Sequence, residues 1–183
     1  MENQKIYITS DWHFNHNKNF IYEKRGFSSI QEMNEAIITY HNQCVNYNDI
    51  VYCLGDCLLG DDSGIKYLKR LNGNIKIILG NHCTTNRIQL YKEAGFEILG
   101  LAAILKYHKY TFYLSHYPTI TSNYDIDKPL NRRVINLCGH THTNDPFVDW
   151  DKGLIFHTEM DTNNCYPWAL EDIIVKIQKK LDK

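Results

Sequence analysis

A layered α/β fold is the class this sequence predicts. Three observations lead to it. The first half alternates short apolar runs with segments of helical spacing. The second half is richer in strand-like runs and closes on one more segment of helical spacing. Five apolar runs end in polar clusters, as strands do where loops leave a sheet edge. Ile6-Tyr7-Ile8 runs into Asp11-Trp12-His13, and Ile50-Val51-Tyr52 into Gly55-Asp56. Ile77-Ile78-Leu79 runs into Gly80-Asn81-His82, and Phe112-Tyr113-Leu114 into Ser115-His116. Val134-Ile135-Asn136-Leu137 runs into Gly139-His140-Thr141-His142.

The elements follow in order. Residues 5–11 read as a first buried strand, and 14–27 as a polar, aromatic loop. Ser28 or Ser29 caps a helix to about Asn46, with Met33, Ile37, Ile38 and Cys44 in its apolar stripe. A second strand covers 49–55. Ser63 caps a short helix carrying Ile65, Leu68 and Leu71, closed by Asn72-Gly73. A third strand covers 74–79, and Asn86 caps a helix to Glu93 that ends at Gly95. Residues 97–106 and 110–116 read as a hairpin, 134–138 and 154–160 as further strands. Pro167 marks a helix start, and 168–181 has helical spacing at Leu170, Ile173, Ile174, Ile177 and Leu181. The irregular stretch 117–133 lies between two polar clusters and is expected to form a wall of any site they build.

At 183 residues and 21.5 kDa, without repeats or a Pro/Gly-rich linker, the expectation is one domain over 1–183. Net charge of −1 gives no bulk attraction to nucleic acid or anionic membranes. No apolar run has the length of a membrane span and no signal peptide is read at the start, so the expected location is cytoplasmic. Reduced thiols are then expected for the six cysteines, with Cys57, Cys83 and Cys138 packing beside the polar clusters. The 13 tyrosines are scattered, which reads as mostly structural.

Asp, His and Asn are ligands for hard-to-borderline divalent ions. In a strand, residues two apart point the same way, so Asp11 and His13, or His140 and His142, would face one ion. Asp11, His13, Asp56, Asn81, His116, His140 and His142 together give seven ligands. That is too many for one tetrahedral ion and suits two ions sharing a carboxylate. Two ions roughly 3.5–4 Å apart clamp an in-line displacement at phosphorus and lower the pKa of a bridging water.

Asp11-x-His13, Gly55-Asp56, Gly80-Asn81-His82, His116 and Gly139-His140-x-His142, in that order, resemble the calcineurin-like metallophosphoesterase superfamily. The flanking text, Asp11-Trp12-His13-Phe14-Asn15-His16 and then Arg25-Gly26-Phe27, is similar to the small bacterial and phage metallophosphoesterases. Those have His-Phe-Gly-His, Arg-Pro-Phe and Leu-Gly-Asp at these places. The resemblance implies a β-sandwich of two mixed sheets flanked by helices. It also implies one metal on Asp11, His13 and His142, another on Asn81, His116 and His140, and Asp56 bridging them. His82 would stand beside the metals as the catalytic residue, stabilising the phosphoryl group or protonating the leaving oxygen. The implied activity is hydrolysis of a phosphodiester or phosphomonoester by a metal-bridging hydroxide. Three positions depart from the pattern: Cys83 replaces the Asp or Glu that orients the histidine, Asn15 replaces Gly, and Gly26 replaces Pro.

The ligand set admits manganese, iron, zinc, nickel or cobalt without choosing among them, and manganese is the expected metal. The expected partner is a phosphate ester, with a nucleotide as one form of it. His16, Arg25 and Arg132 are candidates to touch substrate phosphate. Against that, His16 is equally suited to solvent, Arg25 to a carboxylate and Arg132 to a solvated pair with Arg133. Two other functions compete: a nuclease or cyclic-nucleotide phosphodiesterase, and a non-catalytic binding scaffold. A nuclease should carry a basic groove, of which the charge gives no sign. A scaffold typically lacks the histidine or several ligands that are present here.

Overall fold

The computed structural model describes residues 4–121, 128–129 and 132–181. Two mixed sheets pack face to face with helices outside them. The first sheet takes β1 (Ile6–Thr9), β2 (Ile50–Cys53), β3 (Asn74–Ile78), β4 (Glu97–Gly100) and β9 (Trp168–Ala169) in the order β4-β3-β2-β1-β9. Its first four strands are mutually parallel, and β9 is antiparallel to β1. The second sheet takes β5 (Ala102–Tyr107), β6 (Tyr110–Ser115), β7 (Val134–Cys138) and β8 (Ile155–His157) in chain order. There β5 and β6 form an antiparallel hairpin and the other pairs are parallel.

Strand alternation divides the core in two. Tyr7, Val51, Cys53, Ile75 and Ile77 face outward onto α2 (Ile30–Cys44), α3 (Ile65–Leu68) and α4 (Thr85–Glu93), where Met33, Ile37, Leu68 and Tyr91 complete one cluster. Ile8, Leu54 and Ile78 face inward and meet Phe112, Leu114, Ile135, Leu137 and Phe156 of the second sheet. A one-turn helix, α5 (Trp150–Gly153), precedes β8, and the C-terminal helix α6 (Leu170–Leu181) adds Leu170, Ile173, Ile174 and Ile177 to this inter-sheet core. Among the described residues no helix is long and apolar enough to cross a membrane.

Several boundaries differ from the sequence reading for identifiable reasons. Ser29 caps α2 as expected, accepting from the Glu32 amide, while Glu32 returns a bond to the Ser28 amide at 2.7 Å. Thr84, rather than Asn86, caps α4 by accepting from the Arg87 amide. Asp61 accepts from the Ser63 amide and opens a 3₁₀ turn (Asp62–Gly64) before α3, so Ser63 is not the cap. The run 97–106 is not one hairpin arm. It breaks at Gly100, whose φ of +95° turns the chain from the first sheet into the second. Pro167 precedes a strand: Trp168–Ala169 pairs with β1, and the helix begins only at Leu170. Strand β8 stops at His157, and Met160–Asn163 is a 3₁₀ turn. The loop 14–27 contains a one-turn helix, α1 (Asn19–Tyr22). Most of the irregular wall 117–133 lies outside the described residues.

The inter-sheet core sets a stability test. Phe112 is fully buried between the sheets. Phe112→Ala is expected to cost about 3–5 kcal/mol in urea unfolding, with m unchanged.

Candidate metal centre

All five polar clusters lie beyond the C-terminal ends of β1, β2, β3, β6 and β7, on one rim of the sandwich. The loops after β1 and β2 are stitched together by backbone bonds. The Asp11 amide donates to the Gly55 carbonyl at 3.1 Å, His13 to Asp56 at 3.1 Å and Phe14 to Cys57 at 3.0 Å. The alternation that aims Asp11 and His13 at one point is therefore not that of a strand, since β1 stops at Thr9 and β7 at Cys138. Both pairs lie in loops and take left-handed backbone: φ is 57° at Asp11, 50° at His13, 81° at His140 and 52° at His142. Asp56, at 52°, does the same. Left-handed backbone outside glycine carries strain and clusters at functional sites.

The seven candidate ligands converge in two adjoining groups. His13 Nε2 and His142 Nε2 are 3.0 Å apart, and Asp11 Oδ1 faces them at 3.5 and 3.8 Å. That carboxylate oxygen is buried without a hydrogen-bond partner. His116 Nε2 lies 2.8 Å from Asn81 Oδ1, 3.2 Å from His140 Nδ1 and 3.3 Å from Asp56 Oδ2. One ligand atom each from Asp11, His13 and His142, and likewise from Asp11, Asp56 and His116, fits within a sphere suited to an ion. An unpartnered buried oxygen among converging imidazole nitrogens is a donor set that fits divalent cations.

Close approach explains the glycines of the motifs. A Cβ at Gly80 would run into the Asp56 carboxylate, and one at Gly139 into that of Asp11. At Gly55, where φ is +105°, a Cβ would lie 2.5 Å from His116 Nδ1.

Other residues hold the donors in place. Asp161 Oδ2 lies 3.0 Å from His142 Nδ1 and accepts from Arg25 Nη2 at 3.0 Å. Arg25 Nη2 also donates to the Asp11 carbonyl at 2.8 Å, and Nη1 to Trp12 at 3.3 Å. Of the two roles the sequence offers Arg25, these contacts match pairing with a carboxylate. Its side chain is 2% exposed and saturated by Asp161 and backbone carbonyls, so it faces the protein and not the cavity. Glu159, fully buried, accepts from the Thr141 amide at 3.0 Å and hydroxyl at 2.9 Å, fixing the residue between His140 and His142. Sequence inspection missed Asp161 and Glu159. Neither sits in a motif, and their contacts appear only when the 3₁₀ turn after β8 meets the other loops; the bridge between Ser10 and Glu159 marks that meeting.

His82 stands at the rim with its ring 39% exposed and Nε2 3.9 Å from Asp56 Oδ2. Its backbone is held at both ends: the amide donates to Asp56 Oδ1 at 3.0 Å, and the carbonyl accepts from Arg87 Nη1 at 2.8 Å. Cys83 Sγ accepts from the Gly80 amide at 3.3 Å and closes the turn that carries Asn81 and His82. Cys53, Cys57 and Cys138 are buried free thiols, and Cys83 packs against the outer core.

Burial works against the charge on Asp11, but His13 and His142 hold its pKa well below the usual carboxylate range. Burial lowers the pKa of His13 and His140, which favours neutral, ligating imidazoles. For His116, burial is outweighed by Asp56 and Asp11, and its pKa rises. A cavity of about 380 Å³ lies over the centre, lined by His13, His16, Phe20, Ile21, Asp56, Leu59, Asn81, His82, His140 and His142. His16 therefore reaches the cavity, and burial with His13 and His82 nearby lowers its pKa to about 4. Arg132 is exposed and is not among the described residues that line it. A larger cavity of about 620 Å³, lined by Lys5, Asn46, Asp49 and Glu171 among others, opens at the opposite ends of β1 and β2. It holds none of the candidate ligands.

Comparison with known proteins agrees with this geometry. The calcineurin-like phosphoesterase superfamily domain matches residues 5–157. The uncharacterized protein MJ1445 of Methanocaldococcus jannaschii is 34% identical over 187 residues, covering 98% of this chain and 94% of that protein. A crystal structure of AQ665 from Aquifex aeolicus, a protein of unknown function, superposes with a TM-score of 0.72 at 24% identity, covering 96% of this chain and all of that one. A domain match over most of the chain joins the rim of Asp, His and Asn side chains in one conclusion: the chain belongs to the calcineurin-like phosphoesterase superfamily and is a metal-dependent phosphoesterase.

Proposed function

We propose that this enzyme hydrolyses a small phosphate ester with two divalent ions, one on Asp11, His13 and His142 and one on Asn81, His116 and His140, with Asp56 shared. The observation that carries the reading is the approach of the seven donors in two adjoining groups, with Asp11 Oδ1 buried and unpartnered. When bound, such ions polarise phosphoryl oxygens and supply hydroxide from water near neutral pH. Manganese is the first candidate, with iron, zinc, nickel and cobalt compatible with the donors.

The remaining work falls to the chain. Asp11 and Asp56 keep their negative charge within the candidate centre, because despite burial the neighbouring histidines hold both carboxyls below the usual range. Asp161 accepts from His142 Nδ1–H, which leaves Nε2 unprotonated and aimed at Asp11 Oδ1; a carboxylate behind a ligating histidine fixes tautomer and ring together. The Leu54 carbonyl, 2.9 Å from His116 Nδ1, does the same for His116. His82 resides at the cavity mouth, where an imidazole can donate a proton to the leaving oxygen. Among the described residues, no lysine or arginine lines the 380 Å³ cavity, which favours a small ester over a nucleic acid strand.

Chelation with EDTA is expected to abolish hydrolysis of a chromogenic phosphate ester, and added manganese to restore it. Asp56→Asn is expected to lower kcat by at least about a hundredfold and to reduce metal content per chain, read by elemental analysis. Full activity in either case would overturn the two-metal reading. Asp161→Asn is expected to weaken metal affinity about 10–100-fold in a calorimetric titration well below the unfolding midpoint. The temperature matters because Arg25 loses its counter-charge in that variant. An affinity within twofold of the parent would remove Asp161 from the site.

A further inference from the structure

Two exposed aromatic side chains lie beside the candidate metal centre, one near each group of candidate ligands. Phe20, on α1, is 68% exposed. Its ring meets His16 edge-on at 5.9 Å and lines the 380 Å³ cavity on the side of His13 and His142. It also lines an adjoining cavity of about 230 Å³ shared with Ile21, Lys24, His142 and Asp161. Tyr117 lies against the other group of candidate ligands, just outside the residues that line the 380 Å³ cavity. Its ring packs edge-on against His116 at 5.2 Å and His140 at 4.7 Å, yet half its surface remains open. Single exposed apolar groups are ordinary on a protein surface. Here two of the largest stand one beside each group of candidate ligands.

We infer that Phe20 and Tyr117 are stacking platforms for the two organic arms of a phosphodiester, each arm carrying a flat aromatic group such as a nucleobase. The inference rests on the phosphoesterase reading above and narrows it to diesters. A monoester has one organic arm and would leave one platform unused. A monoester also brings two negative charges; no described lysine or arginine lines the 380 Å³ cavity, and Lys24 of the adjoining one is engaged by the His142 carbonyl at 2.6 Å. Flat rings stack on aromatic side chains without regard to base identity, so sequence selectivity is not expected.

The test compares bis(p-nitrophenyl) phosphate, methyl p-nitrophenyl phosphate and p-nitrophenyl phosphate on the manganese-loaded enzyme. All three release p-nitrophenolate, and the two diesters differ in the second arm. The readout is the ratio of kcat/KM for the diaryl ester to that for the methyl ester, because intrinsic reactivity cancels between variants. Phe20→Ala and Tyr117→Leu are each expected to lower this ratio about tenfold. Val175→Ala, on the exposed face of α6, should leave it unchanged. An unchanged ratio in both aromatic variants, or a wild type that prefers the monoester to both diesters, overturns the inference while leaving a phosphoesterase. If none of the esters is hydrolysed, the parent reading fails separately. Binding of diphenyl phosphate against dimethyl phosphate then decides the platforms, with equal affinity overturning them and a tenfold preference lost in Phe20→Ala supporting them.

Discussion

Two carboxylates buried side by side set the terms for the rest of the molecule. Asp11 is fully buried and Asp56 nearly so; burial and the charge of Asp11 oppose the charge on Asp56, yet His116 outweighs them and holds its pKa below the usual carboxylate range. Such a pair is costly unless every oxygen is answered. Each carboxylate is split in the same manner. One oxygen accepts a backbone amide from a different polar cluster: Asp11 Oδ2 takes that of His140 at 2.9 Å, and Asp56 Oδ1 that of His82 at 3.0 Å. The other oxygen is left toward the histidines. The clusters thus anchor one another, and the anchoring of Asp11 by His140 ties the first sheet to the second. Glycine at 80 and 139 follows directly, since a side chain there would occupy the carboxylates' space.

This arrangement asks the backbone for left-handed conformations at five of the candidate ligands, each costing about 1 kcal/mol or more. The strain is held by what surrounds the rim. The parallel ladder of β1, β2 and β3 delivers three of the loops in register. The buried ion pair of Arg25 with Asp161 pins the backbone at Asp11 and Trp12 while steadying the His142 ring. A surface ion pair would contribute little to such a task. This one is nearly inaccessible to water, and removing either partner strands a charge.

What was legible in the sequence divides along the range of the forces involved. Strands β1, β2, β3, β6 and β7 and the Ser29 cap of α2 rest on local apolar pattern and local hydrogen bonds, and they read correctly. The seven donors read as a set because each follows an apolar run. The reason given for their convergence was wrong in detail: loop residues with positive φ, and not strand alternation, aim Asp11 with His13 and His140 with His142. Non-local pairing defeated the rest. Only the partnership of Trp168 and Ala169 with β1 makes a strand after Pro167, and only the second sheet makes Gly100 a corner. Asp161 sits in a 3₁₀ turn with no periodic neighbour to mark it.

Position 83 bears on the rim's hardest question, which is what orients His82. The usual carboxylate is replaced by a thiol, and burial raises its pKa, so it is a neutral group beside the outer core. Its sulfur is spent on the Gly80 amide and shapes the turn, a task that needs an acceptor and not a charge. The position of His82 is set at its backbone, between the carboxylate of Asp56 and the guanidinium of Arg87. Arg87 is itself fixed by Asp62 and by the carbonyls of Leu58 and Gly60. The His82 backbone is thus held by two charged partners, while its ring is 39% exposed at the rim. The loss of a carboxylate at 83 therefore removes one acceptor from the rim without releasing the histidine.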